Sequence, residues 1–463
     1  MRNLSDEIIF GTPAGVLEIL SSDPSTLNEY DQYGYTPLIE TIICRKPELT
    51  RLLIDRGADL DQEDMLGQTA LYWAANHYHP DICAWLLEKG ANPNRYTAEG
   101  QPILVMPMLR KQTDLIALLA QYGGNTLFPQ DFIEAKLIGH RYELVGQVDI
   151  VNAEQKFVEI DFEGFLLEFT IGVIRQSLLD FMERVASVHY PNYNHILNRI
   201  TTTFRIASEL ISFEYAQNVD KYTDSIREKT QNNLFIAPTA YEGHAITFVR
   251  YRNLFAKCDR GVNQITDTVI IYEMERPQFF DLAFIKKLLY QKGKSKYFIQ
   301  TEIKELLGLK PLATLPTRYQ LAGNCSWANV EACVPTLMFM LLAQGGIWDK
   351  YQVPEYKRLA MDFYNNWVEW GKDETLDDCL SSFHEADRVR KAAKLDILGA
   401  IFAQRCNPKN PRELRRARKI LPLLLTPEYQ YILDSYLKVY THRNAGQVGD
   451  RFVKLLEACG VSL

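Results

Sequence analysis

Eight cysteines are spread through 463 residues without a CxxC pair and without a close cluster of histidine and cysteine. Neither a structural zinc site nor a dense disulfide framework is expected, no metal or cofactor is called for, and a reduced compartment is the default setting. The N-terminus lacks a basic segment leading into an apolar run, and the longest hydrophobic stretch, Val334 to Ala343, is too short to cross a bilayer. The expectation is a soluble protein with no standard secretory signal and no membrane insertion. Positive charge is scarce as well: 51 lysines and arginines face 58 acids, a formal net charge of -7. That balance disfavours nonspecific binding to a polyanion, so direct nucleic-acid binding is not expected of the surface as a whole. What the chain does have is apolar material, 47% of its residues, enough to bury two or three separate cores.

The first third repeats. Gly34-Tyr35-Thr36-Pro37-Leu38, Gly67-Gln68-Thr69-Ala70-Leu71 and Gly100-Gln101-Pro102-Ile103-Leu104 recur every 33 residues. Arg56-Gly57-Ala58-Asp59, Lys89-Gly90-Ala91-Asn92 and Tyr122-Gly123-Gly124-Asn125 keep the same step. Period and glycine positions agree independently, and together they resemble the ankyrin repeat. Residues 1–125 then form an ankyrin-repeat protein-binding domain, whose helix pairs bury the side carrying Leu52, Leu53, Leu86, Leu87, Leu118 and Leu119 only by stacking. An incomplete unit around Ala14 to Leu27 caps the stack. His77, His79 and Cys83 invite a metal reading, but His79 falls where ankyrin repeats carry a histidine that braces the turn, and the structural reading is preferred. The hairpin tips span Tyr30 to Tyr33, Glu63 to Leu66 and Arg95 to Glu99. Tyr33, Met65 and Tyr96 are the partner-binding candidates, because apolar tips are not needed to hold the stack together; packing on the next domain is the alternative. The resemblance also allows hydroxylation of Asn94.

After Asn125 the repeat lapses. Apolar and β-branched enrichment predicts strands over Tyr142 to Ile150, Phe157 to Phe162 and Phe165 to Phe169, then helices to about Lys229. Gly243 to Arg250, Leu254 to Cys258 and Thr268 to Tyr272 read as further strands, with helices over Phe279 to Leu289 and Thr301 to Leu307. From Cys325 the chain is mostly helical, broken near Pro408, Pro411, Pro422 and Pro427. The fold class is α+β. The second domain covers 126–350, and 351–463 is a helical C-terminal extension packed on it. A basic cluster at Arg412, Arg415, Arg416, Arg418 and Lys419 has no aromatic platform and reads as a solvated helix face.

Two stretches in the second domain carry chemistry. Gly243-His244-Ala245 opens a strand, and a turn near Arg252 and Asn253 brings His244 roughly opposite Asp259 in an antiparallel pair. A carboxylate there holds the imidazole in one tautomer and leaves its other nitrogen for a thiol proton. Asn263 is a substitute orienter. Gly323-Asn324-Cys325-Ser326-Trp327-Ala328 places Cys325 where a loop enters a helix, a setting that favours a thiolate. Val330, Val334, Leu337, Met338, Leu341 and Leu342 then trace an apolar helix face. Oxyanion donors are expected from the backbone N–H of Cys325 or Ser326 and from the side chain of Gln320. Trp327 either roofs the site or anchors the helix, with the anchor preferred. Cys333, Cys379 and Cys459 read as core thiols, and Cys258 as pointing away from Asp259.

Gln320, Cys325, Trp327 and Ala328 resemble the glutamine and Cys-Trp-Ala setting of papain-like cysteine proteases, although the order His, Asp, Cys is similar to that of the adenovirus-protease and ubiquitin-like-protease group. Ankyrin repeats joined to this Gly-His-Ala and Asn-Cys-Ser-Trp-Ala domain resemble the Legionella ankyrin effector H family over nearly the full chain. The resemblance implies an α-helical ankyrin stack followed by a papain-like cysteine-protease-like domain with extensive helical additions, and delivery into a host cell by the Dot/Icm system. It further implies association with a host nuclear transcription-regulatory complex, in the nucleus and the cytoplasm. The implied chemistry is that of a thiol hydrolase, protease or isopeptidase, with Cys325, His244, Asp259 and Gln320 as the site. A thiol-dependent acyltransferase shares the intermediate, and a noncatalytic ankyrin scaffold is the competing reading from another class.

Overall fold

The computed structural model describes residues 3–164, 167–213, 218–231, 234–261, 268–321, 323–343, 351–441 and 446–461. They group into two units. One comprises Met1–Leu137, Gly146–Phe162 and Cys379–Leu463, the other Ile138–Val145 and Glu163–Asp378.

In the first unit each repeat starts from a local capping rule. Thr36 and Thr69 accept hydrogen bonds from the backbone N–H groups of Ile39 and Tyr72, each at 3.2 Å, and so open the helices Pro37–Ile43 and Ala70–Asn76. The return helices, Pro47–Asp55 and Pro80–Glu88, begin with proline, whose missing N–H is harmless at that position. Leu53, Leu86, Leu87 and Leu119 are buried in one continuous core, with Leu52 and Leu118 packed against it. Tip glycines are required sterically: Gly67 has φ +73°, and a Cβ there would lie 2.6 Å from the backbone nitrogen of Ala98. Neighbouring repeats are stapled by an unforeseen ladder in which Asn28, Asp61 and Asn94 accept from the N–H groups of Asp59, Asn92 and Asn125 at 2.7–3.0 Å. Both ends of the Asn94 amide are occupied, since its Nδ2 donates to the Gly123 carbonyl.

The short hairpin in this unit corrects one expectation. Tyr142 ends a 16-residue helix, Leu127–Tyr142, and the strand begins only at β1 (Gln147–Val151), after Gly146 at φ +99°; β1 pairs antiparallel with β2 (Phe157–Asp161). One helix ends at Arg405, Pro411 starts the next, Pro411–Leu424, and Pro427 precedes the helix Gln430–Thr441, so the chain breaks near Pro408, Pro411 and Pro427 as expected; Pro422 sits inside its helix and makes no break. Within the basic cluster Arg416 is buried, while Arg412, Arg415, Arg418 and Lys419 are exposed.

The second unit is built on a five-stranded antiparallel sheet: β3 (Leu234–Tyr241), β4 (His244–Tyr251), β5 (Leu254–Cys258), β6 (Val269–Met274) and β7 (Leu309–Leu315), adjacent in that order. β3 and β7 went unread in the sequence because each holds a proline, Pro238 and Pro311. Both are edge strands, where a missing N–H is tolerated. From Leu167 to Phe169 the strand expected over Phe165 to Phe169 is helical instead, the start of the helix Leu167–Phe181, and residues 165 and 166 lie outside the described residues.

Helices Cys325–Glu331 and Cys333–Leu342 pack on β4. Val330, Val334, Leu337, Met338 and Leu341 are buried, but so are Cys333, Thr336, Phe339 and Met340 between them, so the segment is enclosed all round and has no solvent face. Cys325–Leu342 is apolar enough by length and composition to span a membrane, yet 83% of it is buried within the protein, as a core helix requires.

Candidate active site

A two-residue turn aims the histidine. Glu242 and Gly243 both adopt positive φ (47° and 78°), the backbone of a primed turn whose twist matches the strands it joins. Tyr241 and His244 are therefore the closing pair of the β3–β4 hairpin, with their rings edge-on at 5.5 Å. β4 then turns at Arg252 and Asn253, as the sequence suggests, and pairs Tyr251 with Leu254 through to Thr247 with Cys258. Extended three residues further, that register sets His244 across from Gly261, not Asp259. The contact with Asp259 is diagonal, which keeps both side chains on one face. His244 Nε2 lies 2.8 Å from Asp259 Oδ1. Asp259 is almost fully buried, its Oδ1 also accepts from the Gly261 N–H at 3.3 Å, and its Oδ2 pairs with Lys257 Nζ at 2.8 Å. Asn263 lies outside the described residues.

Cys325 is the first residue of its helix and half-buried. Its Sγ accepts a hydrogen bond from the backbone N–H of Ala245 at 3.4 Å, the residue after His244. Because Nε2 of His244 is engaged by Asp259, Nδ1 is the ring nitrogen left for the sulfur. The hydrogen bond to Asp259, then that to Cys325, raises the imidazole from its ordinary 6.5 to about 9. Burial pushes the Cys325 thiol up, but the bond to His244 and the N–H groups of Ala245 and Ser326 outweigh it, and the net shift is downward. Both shifts favour a thiolate–imidazolium pair.

Gln320 joins this neighbourhood through its backbone: its N–H donates to the Arg260 carbonyl at 2.9 Å, next to Asp259. Its side-chain Oε1 is buried without a hydrogen-bond partner among the described residues, as is Oδ1 of Asn324. Trp327 is buried, with Nε1 3.2 Å from Glu331 Oε1 and the Arg141 guanidinium 5.2 Å above its ring. It anchors the helix. Glu331 in turn holds Arg260 (3.1 Å) and the Tyr364 hydroxyl (2.9 Å), and Arg260 reaches Glu143 at 2.8 Å. One buried ion network thus ties the chain after Asp259 to the helix that begins at Cys325. Cys258 and Cys333 meet below the site at 4.0 Å between sulfurs, both buried. Among the described residues no group of three or more His, Cys, Asp or Glu side chains is arranged to hold a metal ion.

At the ankyrin tips Tyr33 and Met65 are exposed (64% and 79%), as is Leu66, which the sequence reading passed over. Tyr96 is half-buried and lies edge-on to Phe128 at 5.6 Å. His77 stacks on Trp73, and Cys83 is buried in the repeat core.

The ankyrin-repeat family model matches residues 8–97 in three copies. A solved structure titled as that of the Legionella effector AnkH matches 100% of this chain and 98% of its own, at 37% identity and a TM-score of 0.81. The chain belongs to the AnkH effector family. No curated protein matches it. Membership accounts for the whole architecture, ankyrin stack and mixed α+β remainder alike, since the AnkH match runs end to end. Lys257 and the buried amide of Asn329 are site neighbours that went unread. The period-two spacing of Lys257 and Asp259 on one strand is the signal that could have found the first.

Proposed function

We propose that this AnkH-family chain is a thiol hydrolase, a protease or isopeptidase, delivered into a host cell through the Dot/Icm system and directed to a host protein by its ankyrin repeats. The observation that carries the proposal is the convergence of Cys325, His244 and Asp259, with the sulfur and imidazole shifted toward their charged forms. In this reading residues 1–125 bind the partner, 126–350 perform the chemistry and 351–463 are a helical extension. The thiolate attacks an acyl carbon, and the tetrahedral oxyanion draws on a backbone N–H donor at Cys325 or Ser326 with Gln320 as a side-chain donor. His244 then gives its proton to the leaving amine. Water, deprotonated by the now neutral imidazole, resolves the thioester; an amine in its place would make the same site an acyltransferase.

The exposed Tyr33, Met65 and Leu66 favour a second reading in which the repeats capture a host nuclear complex without turnover. Tyr96 is the remaining proposed contact at the tips. A peptidyl acyl probe that is attacked only by activated thiols separates the readings. Covalent labelling of Cys325, lost in His244→Ala, is the expected result. Labelling no faster than that of Cys44, together with loss of partner capture in Met65→Asp, would leave the scaffold reading standing alone.

A further inference from the structure

The β4–β5 ladder stops one hydrogen-bonded rung early, and it stops at the site. Antiparallel strands exchange backbone bonds at every second pair, and Tyr251–Leu254, which closes the two-residue hairpin turn, sets the sequence of such pairs: Val249–Ala256, Thr247–Cys258, then Ala245–Arg260. A closed rung at Ala245–Arg260 would send the Ala245 N–H to the Arg260 carbonyl and the Arg260 N–H to the Ala245 carbonyl. Neither bond is made. The Arg260 N–H donates to Oδ1 of Asn329 at 2.6 Å, and Nδ2 of Asn329 donates to the Ala245 carbonyl at 2.6 Å. The Arg260 carbonyl is thereby left for the Gln320 N–H at 2.9 Å, and the Ala245 N–H for the Cys325 sulfur at 3.4 Å.

We infer that Asn329 is a positioning residue: its carboxamide occupies the missing Ala245–Arg260 rung, spreads the strand ends that carry His244 and Asp259, and releases the Ala245 N–H to Cys325. The side chain suits the task. It is completely buried and lies one helical turn after Cys325, and a carboxamide carries its donor and its acceptor on separate atoms, one for each strand. Both bonds fix its orientation, since the acceptor must meet an N–H and the donor a carbonyl. The inference rests on the thiol chemistry proposed above, which gives the released N–H its purpose.

Iodoacetamide alkylation of the full chain, followed against pH at each cysteine by peptide mass spectrometry, tests it. Asn329→Ala and Asn329→Ser are each expected to move the Cys325 profile toward that of an ordinary thiol, slowing alkylation near neutrality on the order of tenfold or more. Cys258 and Cys333, both buried, should stay protected in these variants, reporting that the fold survives. A Cys325 profile unchanged from wild type, with His244→Ala still abolishing it, overturns the role of Asn329 while leaving the thiol chemistry intact. Alkylation of Cys258 and Cys333 in both variants also overturns it, by making Asn329 a residue of the fold at large. An ordinary profile in the wild type overturns the chemistry itself and this inference with it.

Discussion

At the scale of single residues the site is a chain of charges in which Asp259 is shared. Its Oδ1 holds His244, its Oδ2 holds Lys257, and burial leaves the carboxylate little water to fall back on. The ammonium offsets part of the field that would otherwise favour the imidazolium still more strongly. Lys257→Met is therefore expected to raise the His244 pKa above its present value of about 9, by on the order of one unit, and Asp259→Asn to lower it toward 6.5. NMR titration of the His244 ring, assigned by comparison with His244→Ala, reads both shifts. Equal shifts in the same direction would show that the carboxylate is not the shared element. Lys257 and Asn329 escaped the sequence reading for different reasons. The lysine was within reach of strand periodicity, whereas the amide acts across a packing contact that no local pattern encodes.

At the scale of elements the histidine is aimed by a turn and the cysteine by a helix start. Gly243 sits at φ +78° with open space where a Cβ would go, so a substitution there strains only the backbone. Gly243→Val should cost about 1–2 kcal/mol, while Gly243→Asn, a residue that tolerates the left-handed region, should cost much less. Urea unfolding followed by tryptophan fluorescence measures the difference, and equal losses would mean that the side chain, not the turn, is at fault. The ankyrin helices were legible because Gly34, Gly67 and Gly100 mark a strict period. The turn at Arg252 and Asn253 was legible too, but the opposite pairing assigned to His244 was two residues off, and the contact survives because it is diagonal. β3 and β7 were hidden by Pro238 and Pro311, whose meaning reverses at a sheet edge. Tyr142 was misread because β-rich composition cannot announce where a helix ends.

For the whole molecule, AnkH-family membership accounts for the architecture, and the proposed activity rests on one property within it: a cysteine held as a thiolate by its histidine. The ankyrin tips supply exposed apolar contacts, yet they cannot confer reactivity on Cys325. The decisive measurement is the pH dependence of Cys325 alkylation by iodoacetamide in wild type and in His244→Ala. The wild-type sulfur should react as a thiolate below 9.0, the ordinary thiol value, and His244→Ala should return the profile to that of an ordinary cysteine. Identical profiles in the two proteins, both resembling Cys44, would contradict the account.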